Sequence, residues 1–598
     1  MENTLEIKFL GAIGTVTGSC TAIRFSNANG THLYLVDVGE KQGELHSDIS
    51  EQGRKWLNNN AKSVKGIFIT HAHLDHVGYL PELVMEHGFN GTVYCSKATE
   101  ELMKAILTDS LAIKGVNKYK INDVFDKIKI YYLDDHSRGR PYPLYYDFTV
   151  TVLNSAHVLG STEFSFAYKI KDKWETLIFS GDIGPNEEYL YTNILLKEFQ
   201  NPFFTTGTGK INIVLESTYG NRVKNKENVY ERRLEKLTEI ITDAMDNNRT
   251  VIFPAFALNR SQEILLDLYY LGTVRRIGLD RLKDCFVARD AELYRKNQIS
   301  TFSVQAESPL ITHINSIYKK YLLKTFVKKD KSLGYEYLSK QFFKKFGLSD
   351  ISDGQEKNKK AMEIIDAVMS RPTSKDSKKD NDTADGFKII VSSSGMCAEG
   401  RVLKYLKQYL PDENAVVVLT GYQANNTNGY YLKNMDNYTD NEKFTTMLDN
   451  IDLRLSDVKC RIIDMGDFFT GHADQNSLFR YVTGGEVPNT LQTKVFLQHG
   501  QDDARTDLKK KLETAPNVKV EIPTTLDWYN LNTGDQTPDE EDRIESLEIG
   551  DITILTPRRY LRKIKDYQND IKKLEIGDTA ILIPSRHLRK IKELLETL

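Results

Sequence analysis

Gly66-Ile67-Phe68-Ile69-Thr70-His71-Ala72-His73-Leu74-Asp75-His76-Val77-Gly78 ends an apolar β-type run with three imidazoles and a carboxylate inside six residues. His71 and His73 straddle one residue, so an extended backbone aims both rings at one point. Asp75 and His76 lie past the bend, ahead of a helical pattern from Tyr79 to His87, and face a second point close by. Imidazole nitrogen and carboxylate oxygen are the donors zinc takes at about 2.0–2.2 Å. The spacing predicts a strand-to-helix corner that holds a metal pair and not a single ion. A redox-active iron pair on the same ligand types is the competing reading.

Working outward, the same device recurs. Leu33 to Gly39 is a strand ending in Asp37, a carboxylate that either orients ligands from behind or caps a turn. Val150 to Ala156 leads into His157, and Thr176 to Gly184 carries Asp182, placed to bridge two cations. Ile211 to Glu216 closes a further strand on a carboxylate. His472 follows Phe468-Phe469-Thr470-Gly471, and His499 ends the strand from Lys494. Six of the 12 histidines sit at such corners. His32, His46, His87, His136, His313 and His587 have no ligand-like surroundings and read as structural.

At 598 residues the chain exceeds one core and suggests roughly two to four domains. Hydrophobic content of 40%, charged content of 27% and a net charge of −3 are those of an ordinary globular protein, so a polyanion site must be a local patch. The five cysteines (Cys20, Cys95, Cys285, Cys397, Cys460) are dispersed without close pairs, which predicts free thiols in a reducing compartment. The start at Met1 shows no leader pattern, and no apolar run approaches the ~20 residues a membrane helix needs. The expectation is a cytoplasmic protein without membrane association.

From 216 to about 455 strand and helix patterns alternate: helix 228–247, strand 250–256, a helix opening at Asn259-Arg260-Ser261, strand 387–391, helix 400–409 and strand 415–420. The loops after these strands, Ser392 to Met396 and Gly421-Tyr422-Gln423, either cradle phosphate oxygens on free backbone N–H groups or are plain turns. Arg260, Ser394, Gly395 and Tyr422 are the candidate phosphate contacts. Ser370 to Asp385 reads as a polar linker. Tyr318-Lys319-Lys320-Tyr321 and Lys340 to Phe346 mix cations with rings, which fits an amphipathic helix better than a single-strand binding surface. Residues 536–598 contain a duplication: Leu547-Glu548-Ile549-Gly550-Asp551 recurs as Leu574-Glu575-Ile576-Gly577-Asp578. Each unit reads as a strand, a proline at the first helical position and a basic helix. RNA contact, self-association and docking of a protein partner are its candidate uses.

On these residues the chain resembles the β-CASP group of metallo-β-lactamase-fold nucleases, from about residue 5 to 505. Asp37, His71-x-His73-x-Asp75-His76, His157 and Asp182 fit the four lactamase motifs; Glu216, His472 and His499 fit the three β-CASP motifs. Pro254-Ala255-Phe256-Ala257, Ser394-Gly395-Met396-Cys397 and Gly421-Tyr422-Gln423-Ala424 resemble the branch of the pre-mRNA 3′-end processing endonuclease and its single-chain bacterial and archaeal relatives. The chain departs from the group at Gln501, where an acid is common, and at Glu40-Lys41, where relatives tend to be apolar.

The resemblance implies an α/β protein: an αβ/βα sandwich (1–215, returning at 456–535), an inserted α/β β-CASP domain (216–455, with a polar insert near 350–385) and a small duplicated βα appendage (536–598). It implies two zinc ions, with manganese as an alternative. His71, His73 and His157 would hold one, Asp75, His76 and His499 the other, and Asp182 would bridge them. His472 would protonate the leaving oxygen, with Glu216 behind it. A histidine at 499 is the version associated with RNA-directed members, whereas DNA-repair relatives carry valine there. The expected activity is hydrolysis of single-stranded RNA to 5′-phosphate and 3′-hydroxyl ends. A DNA nuclease, a thioester or lactone hydrolase and a non-catalytic scaffold subunit are the rivals. Assembly is open, a homodimer included.

Overall fold

The computed structural model describes residues 2–41, 48–116, 118–133, 141–171, 173–185, 209–223, 229–275, 304–327, 340–370, 387–484, 491–524, 526–537 and four short strands between 544 and 584. His46, His136, His587, Cys285, the polar segment 371–386 and the basic stretches after Pro557 and Pro584 lie outside the described residues.

Two mixed sheets face each other. One has eight strands in the order Gln536–Thr537, Trp528–Asn530, Thr4–Phe9, Thr21–Asn27, Gly30–Val36, Val64–Phe68, Thr92–Cys95 and Lys129–Tyr132. The other has seven, in the order Val518–Glu521, Thr493–Gln498, Ile211–Glu216, Lys173–Phe179, Thr162–Ile170, Phe148–Asn154 and Tyr142–Tyr145. Period-two alternation sends Leu5, Ile7 and Phe9 of the first sheet and Phe164, Phe166 and Tyr168 of the second into one shared core. Phe68 reaches across the gap to meet Phe166 edge-on, with ring centroids 4.9 Å apart.

The outer faces are covered by helices. Ile67, Ile69 and Val93 pack with Leu102, Met103 and Ile106 of helix Lys97–Ile113. Ile178, Ile213 and Leu215 pack with Leu478, Leu508 and Leu512 of helices Gln475–Thr483 and Asp502–Leu512. The result is a four-layer αβ/βα sandwich. Its chain is closed late, when Tyr529 pairs with Ile7 at the start of the first sheet.

Between Glu216 and the return strand at Thr493 runs a separate, all-parallel five-stranded sheet in the order Val304–Ala306, Lys388–Ser392, Thr250–Pro254, Ala415–Leu419 and Arg461–Asp464. Ala415 to Leu419 is an unbroken apolar run because helices cover both faces of the sheet. The edge strand Arg461–Asp464 belongs to this sheet although it falls within 456–535.

Helix Pro309–Val327 buries Tyr318 and Tyr321, while Lys320 pairs with Glu101 of the sandwich, whose carboxylate also accepts from Tyr321 Oη at 2.7 Å. Phe342 of helix Lys340–Lys345 is likewise buried. The ring-and-lysine segments thus follow the amphipathic pattern.

The duplication appears as two hairpins of one register. Leu547 pairs with Ile554 in the first, and Leu574 with Ile581 in the second. Pro557 and Pro584 are the last strand residues, opposite Ile544 and Ile571, and not the first residues of helices. A proline is tolerated at a strand end, where its missing N–H breaks no ladder.

Candidate metal centre

The tips of strands from both sheets meet at one point. Three of these tips hold non-glycine residues at left-handed φ: Asp37 (+58°), Ala156 (+54°) and His499 (+56°). Such backbone costs free energy and persists where the surrounding fold imposes it. Gly181 (φ +54°) precedes Asp182, and a Cβ there would stand 2.9 Å from Thr70 Cβ. Glycine is thus what lets the Asp182 strand end close against the histidine corner.

His71 Nε2 lies 3.0 Å from His73 Nδ1, which is 3.2 Å from His157 Nε2. His76 Nε2 lies 3.2 Å from His499 Nε2, and Asp75 Oδ2 is 3.4 Å from the latter. Asp182 stands between these two sets. Its Oδ2 is 3.6 Å from His71 Nε2 and 3.7 Å from His157 Nε2, while its Oδ1 is 3.4 Å from His76 Nε2. Two groups of donors, His71–His73–His157–Asp182 and Asp75–His76–His499, each have their atoms within 4.8 Å of one another.

A second ring of contacts aims these donors. Asp37 Oδ2 is 2.7 Å from His76 Nδ1, and its Oδ1 accepts from the Thr70 backbone N–H at 2.8 Å. The alternative left open by the sequence, a mere turn cap, gives way to an orienting contact. Thr70 Oγ1 also sits 3.1 Å from His71 Nδ1. His157 Nδ1 donates to Gly471 O at 2.7 Å, and Thr218 Oγ1 lies 3.1 Å from His499 Nδ1. In each case one ring nitrogen is occupied, which fixes the other toward the centre. Thr70 and Thr218 escaped the sequence reading. The only local signal was a threonine directly before His71 and another two residues after Glu216.

His472 Nδ1 is 2.9 Å from Glu216 Oε2 and 3.9 Å from Asp182 Oδ2. Burial pushes the His472 imidazolium down, but the Glu216 and Asp182 carboxylates outweigh it and raise its pKa to about 9. Burial keeps His71 and His157 well below the ordinary histidine range and brings His73 to about 4. Burial opposes the charge on His76 too, yet Asp182, Asp37 and Asp75 hold its pKa well above the ordinary value.

This donor set fits a bound metal cation. The imidazoles of His71, His73 and His157, two of them buried, are neutral and so in the form that binds metal. Asp182 Oδ1, buried between His76 and His499, has no hydrogen-bond partner among the described residues. Such an orphaned carboxylate oxygen is costly unless an ion completes it.

The candidate phosphate contacts separate. Arg260 is buried, ion-paired with Glu263 and 5.2 Å over the Phe469 ring, so its charge is spent inside the protein. Ser394 Oγ is occluded and has no hydrogen-bond partner among the described residues. Gly395 packs on Phe256, and Tyr422 is exposed.

Among family models, one described as the Beta-Casp domain matches residues 291–432. One described as the Zn-dependent metallo-hydrolase RNA specificity domain matches 456–523, and one described as anti-Pycsar protein Apyc1 matches 15–205. The chain is 26% identical over 473 residues to transcription termination factor FttA of Pyrococcus abyssi, covering 78% of this chain and 62% of that one. It is thus similar to less than two thirds of that relative's length. Ribonuclease TTHA0252 of Thermus thermophilus is 25% identical over 517 residues, covering 85% of this chain and 96% of the relative. A solved long-form RNase Z from yeast aligns with 42% of this chain and 37% of its own at 14% identity, with a TM-score of 0.24, too low to bear on the fold. The donor set and the zinc-dependent hydrolase match mark the chain as metal-using. With the four-layer sandwich, the inserted sheet and the matched domains in agreement, the fold is that of a metallo-β-lactamase with an inserted β-CASP domain, and the chain is similar to the β-CASP group.

Proposed function

We propose that this protein is a zinc-dependent ribonuclease that hydrolyses RNA phosphodiester bonds and leaves 5′-phosphate and 3′-hydroxyl ends. The observation that carries the reading is the placement of Asp182, with one oxygen toward His71 and His157 and the other toward His76. His71, His73 and His157 would hold one zinc, Asp75, His76 and His499 the second, with Asp182 shared; manganese could replace zinc. When bound, the cation pair supplies Lewis acidity at phosphorus and a water acidic enough to ionise near neutral pH.

The chain's own groups do the rest. Asp75, 21% exposed where Asp182 is buried, is placed to orient the attacking water. His472, kept charged by Glu216, gives a proton to the leaving 3′ oxygen. Asp37 holds His76 in position. The matched RNA specificity domain and the histidine at 499 support RNA over DNA as substrate. We assign the sandwich to 1–215 and to the part of 456–535 that follows strand Arg461–Asp464, the lid to 216–455 together with that strand, and the terminal repeats to contact with RNA or a protein partner. The four described cysteines are buried and form no disulfide among the described residues, in keeping with a cytoplasmic setting. Among the described residues no helix is long and apolar enough to cross a membrane.

The reading is tested by incubating the protein with end-labelled single-stranded RNA, DNA of the same sequence and a thioester panel, with zinc or manganese. Metal-dependent cutting of RNA with 5′-phosphate products is expected. Preferential DNA or thioester cleavage would overturn it.

A further inference from the structure

We propose that Phe256 and Tyr422 form a stacking platform for bases of the RNA strand as it passes the metal centre. The proposal deepens the ribonuclease reading and rests on it.

Phe256 is 37% and Tyr422 43% exposed, whereas their neighbours Ala255, Ala257 and Gln423 are buried. Both follow adjacent parallel strands, Thr250–Pro254 and Ala415–Leu419, at their carboxyl ends. Open α/β sheets bind ligands in the crevice outside those ends. The part of each ring that stays exposed at such a place adds nothing to the fold, because its burial is withheld.

Both loops abut the catalytic segments. Three residues after Phe256, Asn259 Nδ2 donates to His157 O at 3.4 Å. On the other loop, Met465 N–H donates to Leu419 O at 2.8 Å, seven residues ahead of His472. A Cβ on Gly466 would stand 3.2 Å from Gly421 O, so this turn lies directly against the Tyr422 loop. The rings therefore flank the chain segments that deliver His157 and His472.

The platform is also preformed. A Cβ on Gly395 would stand 3.0 Å from Phe256 Cδ2 and 3.1 Å from Cε2, and one on Gly421 3.7 Å from Cε2. The Phe256 ring thus rests against the Gly395 backbone, where a side chain would crowd it, and lies within ordinary contact range of Gly421. Gln423 Nε2 donates to Gly395 O and Gly421 O, each at 3.1 Å, and stitches the two loops together. Rigid aromatic surface of this kind suits a flat heterocycle. Because every base has a π-face, such a platform tolerates any sequence. It also assigns Tyr422 by its ring, and not by its hydroxyl acting on a phosphate.

The test uses metal-loaded full-length protein and a fluorescent, phosphorothioate-linked single-stranded RNA that resists hydrolysis. A counterpart with abasic riboses is compared by anisotropy. Phe256→Ala and Tyr422→Ala should each weaken binding of the base-bearing strand by about 5-fold to about 150-fold. Affinity for the abasic strand should stay unchanged, and Tyr422→Phe should bind as the parent does. Melting midpoints identify any variant that fails to fold, and Phe256→Tyr then stands in for Phe256→Ala as a ring-keeping variant that must bind normally. Equal losses on both strands, no loss on either, or a loss in Tyr422→Phe matching that of Tyr422→Ala would overturn the platform. RNA cleavage by the parent protein would in those cases still uphold the ribonuclease reading. A parent protein that neither binds nor cuts RNA would overturn both.

Discussion

Glu216 holds His472: its Oε2 lies 2.9 Å from the imidazole Nδ1, and its Oε1 accepts from the backbone N–H of Ile183 at 2.5 Å. One carboxylate therefore fixes both the histidine and the chain next to Asp182. It separates His472, which Glu216 keeps charged, from the neutral imidazoles of His71 and His157 a few ångströms away. His472→Ala is expected to keep the metal content of the parent and to lose about 100-fold to 10,000-fold in turnover, the range for a lost general acid. Metal analysis beside single-turnover cleavage checks this. Metal loss in proportion to activity loss would place His472 among the ligands.

Asp37 touches no substrate in this account and acts through His76, 2.7 Å away. Asp37→Ala should lower metal affinity by about 10-fold to 100-fold, as for other partners of ligating histidines. Competition with a chelating dye measures it. Restoring full activity with excess zinc would mark Asp37 as a positioning residue; an activity deficit that excess metal cannot restore would contradict that role.

Phe469 is buried, with the Arg233 guanidinium 4.5 Å from its ring centroid and that of Arg260 5.2 Å away. These cations belong to helices Val229–Asp246 and Arg260–Tyr270 of the inserted segment, so the ring anchors the loop before His472 to the lid. Phe469→Ala should destabilise the protein by about 3–5 kcal/mol, the usual cost of emptying a buried phenylalanine site. Phe469→Leu should cost less. Urea unfolding decides, and an unshifted midpoint for Phe469→Ala would refute the anchor.

Glu163 is buried and accepts from Tyr481 Oη at 2.7 Å, joining strand Thr162–Ile170 to helix Gln475–Thr483. Burial pushes its carboxyl from the ordinary 4.5 up to about 8. The folded state keeps this proton where the unfolded chain has released it. Its contribution to stability is full below about pH 4.5 and is lost as the pH rises to about 8. Glu163→Gln carries no such proton, so its melting midpoint should gain on the parent steadily across that window. A pH-independent difference would contradict the shift.

Much of the centre was legible in the sequence because each ligand lies at a strand end or, as with Asp75 and His76, in the short helix directly after one, and such a corner is a local pattern. His71, His73, Asp75 and His76 sit within six residues, and Asp182 follows a glycine that its turn requires. What aims them was not legible. Thr70 meeting Asp37, Thr218 meeting His499 and Phe469 lying between two arginines are contacts across distant segments, which leave no periodicity behind. The phosphate role expected of Arg260 left Glu263 out of account, although that carboxylate stands one helical turn on and pairs with the guanidinium. In the terminal repeats, Pro557 and Pro584 stand where a proline commonly opens a helix, yet each ends a strand. Gly550-Asp551 and Gly577-Asp578, two-residue hairpin signals between apolar runs, were the better guide.

The most direct test of a shared-carboxylate metal pair is metal content against activity in the parent protein and in Asp182→Asn. Two zinc or manganese ions per parent chain are expected, with loss of RNA cleavage on chelation and recovery when metal is returned. Asp182→Asn should retain less than the full pair and should not cleave. RNA cleavage at the parent rate by a chelated protein, or by Asp182→Asn, would contradict the shared pair.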